Sequence, residues 1–243
     1  MSRLVAFGCS NTLGEGLPDY NDDYGPSKHA WPQLLGDKLG LSVVNLGKGG
    51  ESNKFICSQV LDTDFKRNDL VVFMWTFFSR TCFFTEQGLP RRILPSQMDW
   101  WQWITRHKTT NEERSNLPKK RMKEIRDEYK LCMDYYEKYF SYFNSNYESY
   151  QQINFAKMYL DSKGIKNYHT TCERLPFRED FKYINSIAKL PPKKTKVEIP
   201  NWNTVNLHSQ TLYDKNAADG SHPSVKAHKK IAQDIFNFIS GIQ

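Results

Sequence analysis

Short apolar runs alternate with longer stretches of helical spacing along the chain, and this alternation predicts the fold. Four apolar runs are typical of buried strands and lie at about residues 4–6, 42–46, 70–75 and 165–171. Apolar spacing, together with start and stop signals, predicts helices at about 29–39, 52–61, 122–143, 149–162 and 224–239. Because strands and helices alternate, we expect a three-layer α/β/α fold with a mainly parallel sheet.

The middle of the chain interrupts this alternation with an insertion rich in aromatic residues. Residues 90–118 have no regular pattern, and they include a cluster of tryptophans, Trp100, Trp101 and Trp103. Such a cluster either stacks on sugar rings or docks a partner, or it packs the insertion onto the rest of the domain. We predict a single domain over residues 1–243, with a helical and aromatic insertion at about 85–163.

Candidate chemistry begins where the first apolar run ends. Gly8, Cys9 and Ser10 follow this run directly, so the first strand presents a serine hydroxyl at the sheet edge where open α/β folds bind ligands. Near the other end of the chain, Asp219 and His222 are three residues apart in a tight turn. Each motif alone is typical of a turn or a helix cap. Together they favour a catalytic group in which the aspartate orients the histidine and the histidine activates the serine.

These motifs, in this order, resemble the blocks of the SGNH (GDSL-type) hydrolases. The first block of that family ends in a serine, as Gly8-Cys9-Ser10 does, and its last block is Asp-x-x-His, which matches residues 219–222. Between them, residues 43–52 are similar to the second block, with Gly50 at the position of an oxyanion-hole donor. The resemblance leaves the long middle of the chain uncovered. It implies the flavodoxin-like SGNH fold, a nucleophile at Ser10 and ester substrates.

Two departures from the family pattern affect the site. Cys9 stands where the family has an aspartate and is a rival nucleophile, although neighbouring side chains of an extended segment point apart, so only Cys9 or Ser10 should face His222. The third block of the family carries an oxyanion-hole asparagine, which residues 76–80 lack. Loss of one such donor costs about 3 kcal/mol of transition-state stabilisation in other enzymes. The candidates to replace it are Asn53, Thr76 and Arg80.

Composition limits the classes of function. The formal charge is +7 and the pI is about 9.0, but acidic and basic residues alternate within one of the most basic stretches, as on a solvated helix face. No nucleic-acid-binding motif accompanies the charge, so we do not expect a nucleic-acid partner. The five cysteines are irregularly spaced, which is typical of free thiols in a reducing compartment. No leader pattern and no membrane-spanning apolar run is found, so we expect a cytoplasmic protein without a membrane partner.

We expect neither a metal nor a cofactor, because the histidines lack partners at ligand spacing; His228, in the last predicted helix, is expected at the surface. The hypothesis is a serine esterase that forms an acyl-enzyme. Its substrate would be a small-molecule or carbohydrate ester, such as an O-acetyl group on a sugar. Two alternatives stay open: a weak or inactive protein of this fold that acts as a binding or structural module, and an acyltransferase that uses the same residues.

Overall fold

The computed structural model describes residues 2–95, 119–172, 217, 219, 220 and 222–241. The strands are β1 (Arg3–Gly8), β2 (Ser42–Asn45), β3 (Leu70–Trp75), β4 (Thr81–Phe84), β5 (Pro90–Ile93) and β6 (Lys166–Thr171). The helices are α1 (Ser10–Leu13), α2 (Trp31–Leu39), α3 (Asn53–Asp62), α4 (Lys119–Lys138), α5 (Tyr142–Ser162) and α6 (Val225–Ser240). The tryptophan cluster lies outside the described residues, so its role stays a prediction, as does the extent of the insertion.

A parallel sheet with the strand order β2-β1-β3-β6 forms the middle layer. β1 pairs on both sides, and Leu4 has Val43 and Leu70 as its neighbours in the register. Every residue of β3 is buried, which explains why its sequence is apolar throughout. This strand order is the one typical of doubly wound folds of the flavodoxin type. The predicted α/β fold with a mainly parallel sheet is confirmed.

Helices cover both faces of this sheet because successive strand residues point to opposite sides. On one face, α2 and α6 bury side chains such as Leu35 and Ile231 against β1 and β3. On the other face, α3 and α5 bury side chains such as Ile56 and Leu160. Each such side chain contributes about 1.5–3 kcal/mol when it is removed from water. None of the described helices is both long and apolar enough to cross a membrane.

The predicted positions of α2, α3 and α6 are confirmed to within two residues, and serine caps explain two of the starts. Ser52 Oγ accepts the N–H of Phe55 at 3.3 Å, and Ser224 Oγ accepts the N–H of Ala227 at 3.2 Å. A serine side chain at this position satisfies an N–H group that the first turn of a helix leaves without a backbone partner.

Two predictions about the middle of the chain are wrong. The helix predicted at about 122–143 ends at Lys138, and α5 begins at Tyr142, because Ser141 Oγ accepts the N–H of Asn144 at 3.4 Å and caps a new helix. The apolar spacing continues across this break and hides it. The region predicted to be irregular from residue 90 begins with β5, which pairs antiparallel with β4. Both strands are short and are stabilised by each other, so neither has a clear pattern of its own.

His228 was predicted to lie at the surface, and this prediction is wrong because the residue is fully buried. Its Nδ1 accepts the backbone N–H of Trp31 at 3.1 Å, which joins the first turn of α6 to the start of α2. His228 lies three and seven residues before Ile231 and Ile235, on the buried stripe of α6. Burial lowers the pKa of His228 to about 4, and the charge of His222 acts in the same direction.

A second buried histidine lies in β6, against the aromatic core. The ring of His169 stacks on Phe73 with 4.7 Å between centroids, and its Nδ1 accepts the Trp75 indole N–H at 3.0 Å. Its Nε2 lies 2.8 Å from Asn167 Oδ1. Burial lowers the pKa of His169 to about 3, and the charge of Lys157 adds to this shift.

We expect the free energy of unfolding to fall as the pH decreases from about 6.5 to about 4. A histidine of the unfolded chain titrates near pH 6.5, whereas the folded chain lowers the pKa of His228 to about 4 and that of His169 to about 3. Between these values the unfolded chain binds more protons. Stability is therefore lost at about 1.4 kcal/mol per pH unit for each histidine. Urea unfolding followed by circular dichroism across this pH range measures the slope.

The matched variants for this experiment are His228→Asn and His29→Asn. Asparagine at 228 can still accept a hydrogen bond from Trp31 but does not titrate, so the slope should decrease by the share of one histidine. His29 is exposed, so His29→Asn controls for the loss of a histidine outside the core. Equal slopes for the native protein and His228→Asn would contradict the prediction.

Candidate active site

Ser10 lies in the tight turn that joins β1 to α1, which we call the serine turn (residues 8–13). The carbonyl of Cys9 accepts the N–H groups of Thr12 at 2.9 Å and Leu13 at 3.0 Å. Gly8 is required there, because a Cβ would lie 2.0 Å from Thr12 Oγ1. Ser10 itself is 5% exposed. Within the described residues, no acceptor takes the backbone N–H of Ser10, so this group remains available to a ligand.

Asp219 and His222 form a short hydrogen-bonded pair just before α6. His222 Nδ1 lies 2.5 Å from Asp219 Oδ2, and the backbone N–H of His222 donates to Asp219 Oδ1 at 3.1 Å. The carboxylate therefore fixes both the ring and the backbone of the histidine. Because Nδ1 bonds the carboxylate, Nε2 is the nitrogen that can act as a base.

Glu15 and Gly16 place this pair beside the serine turn. The N–H of Glu15 donates to the carbonyl of Ser10 at 3.1 Å, and Glu15 Oε2 lies 4.0 Å from His222 Nε2. A Cβ at Gly16 would lie 2.7 Å from the carboxylate of Asp219. Ser10 and His222 are both among the described residues, and no hydrogen bond joins Ser10 Oγ to the His222 ring. Such catalytic hydrogen bonds often shorten only when a substrate binds.

The loop that follows β2, residues 46–52, packs directly on the serine turn and carries Gly50. Asn45 Nδ2 donates to the carbonyl of Thr12 at 2.7 Å, and Asn45 Oδ1 accepts the N–H of Gly47 at 2.9 Å. A Cβ at Gly47 would lie only 2.5 Å from the backbone nitrogen of Leu13, so the two backbones are in close contact. Within the described part of the chain, the N–H of Gly50 also has no acceptor.

A buried carboxylate follows Gly50 and was missed by the sequence analysis. The Glu51 side chain is completely buried, with Arg92 Nε at 2.9 Å and Lys48 Nζ at 4.0 Å from the same oxygen. Burial raises the pKa of Glu51, while the charges of Arg92 and Lys48 oppose the shift. The spacing of Lys48 and Glu51 was a local signal for this cluster. Arg92 reaches it only through the β4–β5 hairpin, which the sequence did not reveal.

Asn53 is committed to a structural role at the end of β3. Its Oδ1 accepts the backbone N–H of Thr76 at 2.8 Å. Its Nδ2 donates to the carbonyl of Thr76 at 3.2 Å and to Ser149 Oγ at 3.1 Å. Both amide hydrogens are therefore used within the protein, where the residue is 1% exposed. Asn53 ties α3 and α5 to the end of the strand that lies beside the serine turn.

Arg80 is the candidate donor with unused hydrogens. Its Nη1 donates to Thr76 Oγ1 at 3.1 Å, and its guanidinium stacks on Phe77 with 4.7 Å to the ring centroid. The Thr76 hydroxyl also interacts with the sulfur of Cys9, so it is already engaged. In the part of the chain that the structure describes, no carboxylate lies within 4.0 Å of Arg80. Among the described residues, Arg80 is therefore a half-buried cation with no carboxylate partner. It follows β3, where the third block of the SGNH hydrolases is expected.

Cys9 is buried away from solvent and is not placed as a rival nucleophile. Its side chain belongs to the core cluster between the sheet and α6, and its thiol interacts with that of Cys172. Asn11 Nδ2 donates to Cys172 Sγ at 3.6 Å. The hydrogen bond to Cys9 and burial together raise the pKa of the Cys172 thiol. That only one of Cys9 and Ser10 faces His222 stays a prediction.

Several solved structures are similar to this chain. A G-D-S-L lipolytic protein from Desulfitobacterium hafniense DCB-2 is 15% identical, with 97% of this chain and 98% of that chain covered and a TM-score of 0.46. TesA is 12% identical over all of both chains, with a TM-score of 0.47. A G-D-S-L lipolytic protein from Veillonella parvula DSM 2008 is 11% identical over 99% of each chain, with a TM-score of 0.45. Neither a protein-family profile nor a curated protein sequence matches the chain.

We expect Gly16→Ala to disturb the Asp219–His222 pair. The φ angle of Gly16 is +81°, and the added Cβ would lie 2.7 Å from the Asp219 carboxylate. Gly25→Ala is a matched control in the same loop, because φ is +86° and no heavy atom lies within 4 Å of its Cβ position. Both variants should lose about 1–2 kcal/mol of stability through backbone strain. Only Gly16→Ala should shift the Nδ1–H resonance of His222 in NMR spectra, and an unchanged resonance would contradict this placement.

Proposed function

We propose that this protein is a serine esterase of the SGNH type that hydrolyses its substrate through an acyl-enzyme. The observation that carries the proposal is the placement of the Asp219–His222 pair beside the serine turn, although the two motifs come from opposite ends of the chain. A base with its tautomer fixed, a serine at a sheet edge and unused backbone N–H groups are the parts that acyl transfer needs.

In the proposed reaction, His222 Nε2 takes the proton of Ser10 Oγ while the oxygen attacks the carbonyl carbon of the ester. Asp219 stabilises the imidazolium that forms. The tetrahedral intermediate collapses as the carbon–oxygen bond to the alcohol breaks, and His222 returns the proton to the leaving alcohol. Water then attacks the acyl-enzyme, with His222 again as the base. The products are one carboxylic acid and one alcohol, and Ser10 recovers its proton.

We infer that the oxyanion is bound by the backbone N–H groups of Ser10 and Gly50 and by the guanidinium of Arg80. Asn53 is unsuited because both of its amide hydrogens are used, and the Thr76 hydroxyl is engaged by Cys9 and Arg80. Arg80 has four further N–H donors besides the one that bonds Thr76. A guanidinium is always protonated, so it also offers full charge to the developing oxyanion.

The identity of the ester stays a prediction. A small acyl group, such as O-acetyl on a carbohydrate, remains our expectation from the resemblance to the SGNH hydrolases. A cytoplasmic location stays a prediction from the sequence alone. Transfer of the acyl group to a sugar hydroxyl would use the same three residues, with the hydroxyl in place of water.

We expect Ser10→Ala to abolish both labelling by a fluorophosphonate probe and hydrolysis of p-nitrophenyl acetate, because no other side chain replaces the nucleophile. The loss in kcat should be roughly four orders of magnitude or more. Ser58→Ala is the control: this hydroxyl donates to the carbonyl of Phe55 within α3, away from the serine turn. Labelling and turnover that survive in Ser10→Ala would reject the proposal. The absence of both in a folded native protein would favour a binding protein of this fold.

Arg80→Gln should lower kcat by about a hundredfold with little change in KM, because the missing interaction forms only in the transition state. Arg80→Lys keeps a positive charge and should recover part of the loss. Asn53→Ala should instead lower stability, because Asn53 ties α3 and α5 to the end of β3. This result would distinguish the structural role of Asn53 from the proposed oxyanion role of Arg80. A normal kcat in Arg80→Gln would show that Arg80 is not the third donor.

A further inference from the structure

Two cations share the buried carboxylate of Glu51. This residue lies in the loop of residues 46–52, which we call the Gly50 loop. Arg92 Nε and Lys48 Nζ both approach the same oxygen of Glu51, at 2.9 and 4.0 Å. Both cationic side chains are partly exposed, at 40% and 49%, whereas the Glu51 side chain is completely buried. The cluster therefore presents a net positive charge to solvent, even when Glu51 is ionised.

Arg92 has unused donors that lie beside the proposed oxyanion hole. Within the described residues, its only hydrogen bond is the one from Nε to Glu51, so both Nη groups lack an acceptor. Nη1 lies 3.5 Å from the position that a Cβ at Gly50 would occupy. A guanidinium held by Nε presents its remaining N–H groups as a planar fork, which matches a carboxylate or a phosphate.

The position of Arg92 is set by the β4–β5 hairpin. Arg92 lies directly opposite Cys82, whose side chain contacts Ser52 next to Glu51. The Tyr136 hydroxyl of α4 donates to the carbonyls of Ser79 at 2.7 Å and Ile93 at 3.3 Å, and this holds both strands of the hairpin. Arg91, the neighbour of Arg92, is paired with Phe83 and is exposed. The hairpin therefore directs one of two adjacent arginines to the Gly50 loop.

Charges of the opposite sign lie at the neighbouring glycine of the same loop, Gly49. A Cβ at Gly49 would lie 2.7 Å from Glu15 Oε2, and the Asp219–His222 pair lies next to Glu15. His222 must protonate the leaving alcohol, so the alcohol of the ester lies on this acidic side. A negative charge on the alcohol would be repelled by Glu15 and Asp219, whereas a negative charge on the acyl part can reach Arg92.

We propose that the acyl part of the substrate carries a carboxylate or phosphate, which binds to the Arg92 fork beside Gly50 with Lys48 in support. This proposal rests on the proposed esterase activity and specifies its substrate class. Charged groups arranged in this way act mainly on specificity, because they favour one charge and one orientation of the ligand.

Two pairs of synthetic esters test the proposal. The first pair compares mono-p-nitrophenyl adipate with its methyl ester, which differ only in the charge at the end of the acyl chain. The second compares p-carboxyphenyl butyrate with the methyl ester of its carboxyl group, which moves the charge to the leaving alcohol. We expect kcat/KM to be about tenfold higher for the charged member of the first pair and no higher for the charged member of the second. The preference should decrease as salt is raised.

Arg92→Gln should remove the preference within the first pair, and Arg91→Gln should retain it. Because Arg92→Gln leaves the buried Glu51 with less compensation, the double variant Glu51→Gln/Arg92→Gln is measured as well; it removes both charges of the ion pair. The ratio within each ester pair corrects for any loss of folded enzyme. Equal rates for the first pair in the native protein, or loss of the preference in Arg91→Gln to the same extent as in Arg92→Gln, would overturn the proposal.

Calorimetry separates a failure of this inference from a failure of the esterase proposal. Monomethyl adipate and dimethyl adipate are titrated into Ser10→Ala, so no hydrolysis is needed. Binding of the acid about tenfold more tightly than the diester, lost in Ser10→Ala/Arg92→Gln, would support the anion site even if no ester were hydrolysed. Hydrolysis of neutral esters without any preference for the acid in either assay would leave the esterase standing and refute the anion site.

Discussion

The contact between the Asp219 carboxylate and the backbone at Gly16 is the constraint on which the candidate site depends. It places residues from the two ends of the chain side by side, and closing so long a loop costs conformational entropy. That cost is offset away from the site, where α6 buries its apolar stripe against α2 and the sheet. The hydrogen bond from Trp31 to His228 then fixes the first turn of α6, which begins three residues after His222. The position of the proposed base is therefore a property of helix packing.

Charges of both signs lie along the Gly50 loop. Glu15 and Asp219 lie on the side of His222, and Arg92 and Lys48 lie on the side of the hairpin. The loop itself packs on the serine turn, where the Gly47 and Leu13 backbones are in close contact and the Asn45 side chain bridges the two segments. Under the proposed function, this arrangement of charges favours one orientation of a charged ester before any chemistry occurs.

The sheet and its main helices could be predicted from the sequence because their signals are local. The apolar run of β3 and the serine caps of α3 and α6 need no tertiary information to be recognised. The β4–β5 hairpin could not be predicted, since each short strand depends on its pairing with the other. His228 lies on the buried stripe of α6, so spacing alone would have revealed its burial.

Some residues of the candidate site could likewise be predicted from the sequence, and others could not. Sequence motifs identify four candidate site residues: Ser10, Asp219, His222 and Gly50. Their joint action stays a prediction. The sequence could not rank the three candidates for the third oxyanion donor, Asn53, Thr76 and Arg80. The choice depends on which of their N–H and O–H groups are already hydrogen-bonded in the fold. Glu51 and Arg92 lie far apart in sequence, and only the fold of the hairpin brings them together.

Under the proposed function, the hairpin contributes to the choice of substrate and not to the reaction itself. The proposed reacting groups lie on the sheet edge and its adjoining turns, whereas Arg92 lies on β5 of the hairpin, which contacts the Gly50 loop through Glu51 and is held by Tyr136. A change of residue at position 92 would alter the charge beside Gly50, whereas the proposed catalytic residues lie on other elements. Under the proposed function, substrate preference can therefore change through this segment while those residues stay fixed.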